Sequence, residues 1–126
     1  MDNIRKFWLC KHCGNLISYV KDVGVGVSCC GEVMHELKPN STDAAQEKHV
    51  PVAVRDSDLM MVTVGSVPHP MTEEHYISWI VVADGSRTQR HILTPADKPT
   101  TGFVVSKDPV KVYAYCNLHG LWEATL

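Results

Sequence analysis

The sequence predicts an all-β protein, a small metal-stapled N-terminal domain followed by an antiparallel β-sandwich. Three observations predict it. Four of the five cysteines, Cys10, Cys13, Cys29 and Cys30, fall before residue 37. From His49 onward, short β-branched and aromatic runs alternate with turn signals. Helical periodicity is weak everywhere, and only residues 42–48 could form a single turn.

The expected division is residues 1–37 and residues 38–126. In the first part, Gly14, Gly24, Gly26 and Gly31 mark tight turns around a small site. So short a piece cannot bury an adequate core, so a metal staple is expected. Pro39-Asn40-Ser41-Thr42-Asp43 reads as a linker. Residues 50–54 and 59–64, around Asp56-Ser57-Asp58, read as a hairpin. Residues 76–82 lead through Asp84-Gly85 into residues 90–93. Residues 103–105, 110–116 and 121–124 complete about seven short strands, the number of a small sandwich.

Composition narrows the function. Charged residues make up 21% and hydrophobic residues 44%, with a net charge of -2, so the chain can bury a core. No basic stripe is present, which argues against nucleic acid as a partner. No apolar run approaches the roughly 20 residues that cross a bilayer. Met1 to Lys6 carries no apolar stretch after its charges, so no secretory leader is expected and the cytoplasm is the expected compartment.

In a reducing compartment these cysteines should not form structural disulfides. Neighbouring Cys29 and Cys30 have Cα atoms about 3.8 Å apart, whereas a relaxed disulfide needs roughly 4.4–6.8 Å. Metal ligation is the better reading. Cys10-x-x-Cys13 offers two thiolates from one turn, and Cys29-Cys30 completes a four-sulfur set that suits zinc or iron equally. Adjacent ligands must converge from successive backbone positions, which implies local strain. His12 is expected to face solvent, and His35 and His91 to be ordinary surface histidines.

A second group is spread along the sandwich: His49 at the start of a strand, His69 between Pro68 and Pro70, His75 before Tyr76, and Cys116 with His119 at a strand end. Val110, Val112, Ala114 and Cys116 share one parity, so Cys116 should lie on an apolar face. A thiolate there needs a cation. Taken singly, scattered histidines and a lone apolar-face cysteine are more often packing residues.

The sequence contexts decide. Glu47-Lys48-His49-Val50-Pro51, Gly65-Ser66-Val67-Pro68-His69-Pro70-Met71, Glu74-His75-Tyr76-Ile77 and Cys116-Asn117-Leu118-His119-Gly120 resemble the ligand segments of the superoxide reductases, in the same order. Cys10, Cys13, Cys29 and Cys30 are similar to the desulforedoxin-like domain of the two-iron members, the desulfoferrodoxins. The resemblance spans essentially the whole chain.

It implies an immunoglobulin-like sandwich, a homodimer and two iron ions, one in a centre of four cysteines and one in a centre of four histidines and a cysteine. His49, His69, His75 and His119 would be equatorial ligands and Cys116 the axial one. The sixth position would be open in the ferrous state and taken by Glu47 in the ferric state. Lys48 would be the cation at that open face. The implied activity is reduction of superoxide to hydrogen peroxide, with rubredoxin as the expected external donor. Because the protein is itself weakly anionic, attraction of the anionic substrate must be local. A non-catalytic iron electron carrier and a zinc-stapled interaction module are the alternatives.

Overall fold

The computed structural model describes residues 4–126, which divide into two compact units, one of residues 5–38 and one of residues 39–126 together with Ile4. The first unit is made of two-residue strands: β1 (Trp8–Leu9), β2 (Leu16–Ile17), β3 (Ser28–Cys29), β4 (Glu32–Val33) and β5 (His35–Glu36). β2, β1 and β5 form one sheet in that order, and β3 with β4 forms a separate hairpin. The buried apolar side chains here are Phe7, Cys10 and Met34, while Val20, Val23 and Val25 are exposed. That is too little apolar burial to offset by itself the backbone entropy of ordering residues 5–38.

The second unit opens with one helical turn, α1 (Gln46–His49). It continues with β6 (Pro51–Asp56), β7 (Leu59–Val64), β8 (Ile77–Asp84), β9 (Arg87–Ile92), β10 (Thr100–Val104), β11 (Lys111–Cys116) and β12 (Gly120–Thr125). All pairings are antiparallel, in sheets ordered β10-β7-β6 and β12-β11-β8-β9. β7 shows the alternation that makes the sandwich: Met60, Val62 and Val64 are buried while Leu59 and Met61 are exposed. Its inward residues meet Phe103 of β10, Ile80 and Val82 of β8, and Val112 and Ala114 of β11 in one continuous core. Buried Asp84 ties the end of β8 to the β10–β11 connection. It accepts backbone N–H groups of Ser106 and Lys107 at 2.8 Å each and the Arg87 guanidinium at 2.9 Å.

Several element boundaries differ from the sequence reading, β10 by three residues at its start, and two of the differences have visible reasons. β9 begins at Arg87, because Gly85 (φ 62°) lets a two-residue turn pair Asp84 with Arg87 directly. His49 closes α1 instead of opening a strand. The Val50 N–H bonds to the Gln46 carbonyl at 2.9 Å, completing the turn. Among the described residues, no helix is long and apolar enough to cross a membrane.

Register places the second site. Pro51 pairs with Val64, and Cys116 pairs with both Ile77 and Gly120. The start of β6, the end of β7, the start of β8, the end of β11 and the start of β12 therefore lie at one end of the sandwich. His49, His69, His75, Cys116 and His119 flank those five strand ends.

Candidate metal centres

In the first unit, Cys10, Cys13, Cys29 and Cys30 bring their four sulfurs within 4.8 Å of one another, and none is disulfide-bonded. Two turns do this. The Gly14 N–H bonds to the Cys10 carbonyl at 2.9 Å, with Gly14 at φ 85°, folding the first pair into a knuckle. Cys30 (φ 54°) and Gly31 (φ 77°) form the two-residue turn between β3 and β4. The left-handed Cys30 is where the strain of adjacent ligands is stored.

Cys13 Sγ lies 3.6 Å from Cys29 Sγ, and Cys29 Sγ 4.0 Å from Cys30 Sγ. A tetrahedron with metal–sulfur bonds near 2.3 Å has edges of about 3.8 Å, so the donor set fits. Without metal, Cys10 and Cys30 are shifted in opposite directions. The backbone N–H of Cys13 is the main influence holding Cys10 down to about 6, and the neighbouring thiols, Cys13 first, push Cys30 up to about 12. Metal binding would displace those protons.

Two residues that the sequence reading passed over complete this site. Asn15 donates its backbone N–H to Cys13 Sγ at 3.5 Å and its amide to Cys29 Sγ at 3.7 Å. Glu32 receives His12 at 2.7 Å and His35 at 2.5 Å; His12 is exposed to solvent, as expected, and both rings are paired with this carboxylate. His91 also has partners, the Thr101 hydroxyl and the Phe103 ring. No spacing rule signals these contacts in advance: those to Cys13 and His35 span two or three residues of irregular backbone, and those to Cys29, His12 and Thr101 join segments 10 to 20 residues apart.

At the end of the sandwich the four other histidines form a square. Ring centroids are 4.7 Å apart for His49–His69, 4.5 Å for His69–His75, 5.0 Å for His75–His119 and 4.9 Å for His119–His49. The His49–His75 diagonal is 6.3 Å. Neighbouring rings are inclined by 76–87°, and the diagonal pair by 32°. Cys116 is fully buried, and its Sγ lies within 4.8 Å of a ring nitrogen of each of His49, His75 and His119. The sulfur is 3.8 Å from His119 Nδ1. His69 falls outside that tightest group and joins through His49, at 3.2 Å between Nε2 atoms.

The hydrogen bonds fix which nitrogen each ring presents. His49 Nδ1 faces the Ala45 carbonyl and His69 Nδ1 the Pro70 carbonyl, both at 2.7 Å. Both Nδ1 atoms must therefore carry the proton, leaving lone pairs on the two Nε2 atoms. Those lone pairs face each other at 3.2 Å, and His119 Nδ1 is 3.1 Å from His49 Nε2. Buried His75 Nε2 has no partner. Converging lone pairs and an orphaned buried nitrogen are what a cation would satisfy. Three imidazoles offered through Nε2, one through Nδ1, and one thiolate suit iron.

Burial lowers the pKa values of His49, His69 and His75, that of His69 to about 4, so the rings are neutral and ready to ligate. Burial also pushes the Cys116 thiol up, opposed by the backbone N–H groups of Leu118 and His119. His49 and His69 are buried, His75 and His119 only partly, so the square opens to solvent on one side. Lys48 and Glu47, both exposed, are carried on α1 beside His49. The Lys48 charge is felt at His49 and His75, and the Glu47 charge at His49.

The family model for desulfoferrodoxin matches residues 41–125. The chain belongs to the desulfoferrodoxin family. Desulfoferrodoxin of Nitratidesulfovibrio vulgaris is 44% identical over 125 residues, covering 98% of each chain. A desulfoferrodoxin homologue of Archaeoglobus fulgidus is 42% identical over 98% of this chain and 99% of its own. The solved superoxide reductase of Treponema pallidum is 35% identical, with a TM-score of 0.78 over 96% of this chain and 98% of that one. For a desulfoferrodoxin with these two donor sets, two iron centres are the resident cofactors.

Proposed function

We propose that this desulfoferrodoxin is a superoxide reductase, converting one superoxide, one electron and two protons into one hydrogen peroxide. The observation that carries the reading is the square of four imidazoles with buried Cys116 against it and Lys48 beside it. Iron bound there supplies a one-electron Fe(II)/Fe(III) couple and a coordination position for a small anion. The ligands would be His49, His69, His75, His119 and Cys116, with substrate arriving at the face beside Lys48.

The chain's own residues do the rest. The Lys48 ammonium concentrates the anion at that face and can supply a proton, directly or through a water, to the reacting oxygen. Glu47, next in the chain, offers a carboxylate to fill the same face once product has left. Cys10, Cys13, Cys29 and Cys30 would hold the second iron, whose four sulfurs leave no position for substrate, so its role is to store or pass an electron. Residues 1–37 then serve electron transfer and residues 38–126 catalysis. The electron comes from an external donor of rubredoxin type.

Two further readings accompany this one. All five cysteines are free thiols gathered in metal-ligating groups, which suits a reducing compartment, the cytoplasm. Val54, Leu59, Met61 and Val104, exposed together on the outer face of the β10-β7-β6 sheet, support a homodimer.

Anaerobic pulse radiolysis of the iron-loaded protein tests the activity. Reduction yields one peroxide per superoxide consumed, with loss of the ferrous state. Half that yield with the ferrous state restored would mean dismutation, and no reaction would leave only an electron carrier.

A further inference from the structure

We propose that Trp122 is a positioning residue that fixes one edge of the imidazole square, the edge between His49 and His119. The inference rests on the reading that the square holds iron. Trp122 lies on β12 opposite Ala114 and is 1% exposed. Its ring stacks on His49, with centroids 4.9 Å apart and planes inclined by 29°. Its Nε1–H donates to the His119 carbonyl at 3.1 Å. One side chain therefore touches two of the four ligand residues, whose donor atoms are 3.1 Å apart.

The two contacts restrain different freedoms. The bond from His49 Nδ1 to the Ala45 carbonyl sets the direction of that ring within its plane but leaves it free to tilt. The indole face removes the tilt. His119 presents Nδ1, the nitrogen attached to the ring carbon nearest the backbone. A shift of its main chain therefore reaches the donor atom almost undiminished, and the Trp122 N–H holds the carbonyl of that main chain. A residue that merely filled the core would need neither the stacked orientation nor the directed N–H.

Trp122→Phe keeps an aromatic face and removes the N–H. Trp122→Leu removes both. The test uses the full-length protein loaded with iron at both sites. It measures release of the sandwich iron to a chelator and the energy of the oxidised sulfur-to-iron absorption, with the four-cysteine iron as internal control. Partners of ligands commonly change metal affinity by about 10–100-fold. Release should quicken about tenfold in Trp122→Phe and about a hundredfold in Trp122→Leu, with the absorption displaced in both and the four-cysteine iron unchanged.

Wild-type release and an unmoved absorption in Trp122→Phe, whatever happens to its melting temperature, would overturn the proposal. That variant decides alone if Trp122→Leu does not fold. A wild-type protein holding iron only at the four cysteines would instead overturn the underlying assignment of the site, and this proposal with it.

Discussion

The two cysteine-bearing sites are built in opposite ways. The four-cysteine site sits on two turns in a unit whose buried apolar side chains are Phe7, Cys10 and Met34, and Cys13 and Cys30 reach the surface. The histidine site sits at the end of a sandwich whose core runs from Met60 to Cys116, and Cys116 is fully buried. In the first unit the ligands are much of the structure, so metal and fold should stand or fall together. In the second the strands hold the ligands before any metal arrives, at the cost of crowding lone pairs around His49 Nε2.

Metal removal should expose that difference most strongly. Anaerobic chelation should unfold residues 5–38 and leave residues 39–126 folded, read as loss of amide dispersion in one set of NMR signals only. Dispersed signals from both units in the metal-free protein would break the comparison. Next in size, Phe103→Ala should destabilise the sandwich by about 3–5 kcal/mol with or without metal, because it removes a ring that is 2% exposed in the core. Denaturant titration of both forms checks this.

The contrast also bears on what the sequence discloses. The fold was legible because its signals are local: alternation on β7, the Asp84-Gly85 turn, and the glycine-rich run around the cysteines. The Cys10–Cys13 and Cys29–Cys30 pairs are close in sequence, so spacing alone points to a site there. The histidine site is different. Its five members come from separate strand ends, and only their sequence contexts, such as Glu47-Lys48-His49, single them out. The contacts of Asn15, Glu32 and Trp122 lay beyond reach because no motif marks them: those to Cys13, His35 and His119 are local but irregular, and those to Cys29, His12 and His49 join distant segments. The start of β9 was missed because Arg87, Thr88 and Gln89 are polar residues of an exposed strand, which carries no hydrophobic signature.

Acid should separate the sites further. In the metal-free sandwich, burial depresses the His69 pKa from 6.5 to about 4, so the unfolded chain binds the proton more readily. Stability is then fully present above pH 6.5 and is lost progressively as pH falls from there toward 4. Thermal melts of the metal-free protein across that range should show the decline. A melting temperature that rises on acidification would contradict it.

The smallest effects concern Lys48 and Glu47. Lys48→Ala should slow the second-order encounter with superoxide by about tenfold or less and flatten its salt dependence, since screening acts over about 10 Å at 0.1 M. Glu47→Ala should leave that encounter nearly unchanged and alter the final ferric spectrum. Equal slowing of the first step in both would mean that neither role is assigned correctly.

The division of labour between the two sites is tested most directly by pulse radiolysis of Cys13→Ser and Cys116→Ser side by side, each iron-loaded and verified as folded across residues 39–126. Cys13→Ser should lose the visible absorption of the four-sulfur iron and still consume superoxide at the wild-type rate. Cys116→Ser should keep that absorption, lose the sulfur-to-iron band of the histidine site and no longer reduce superoxide. A Cys13→Ser protein that retains its sandwich iron yet fails to react, or a Cys116→Ser protein that reacts normally, would contradict the account.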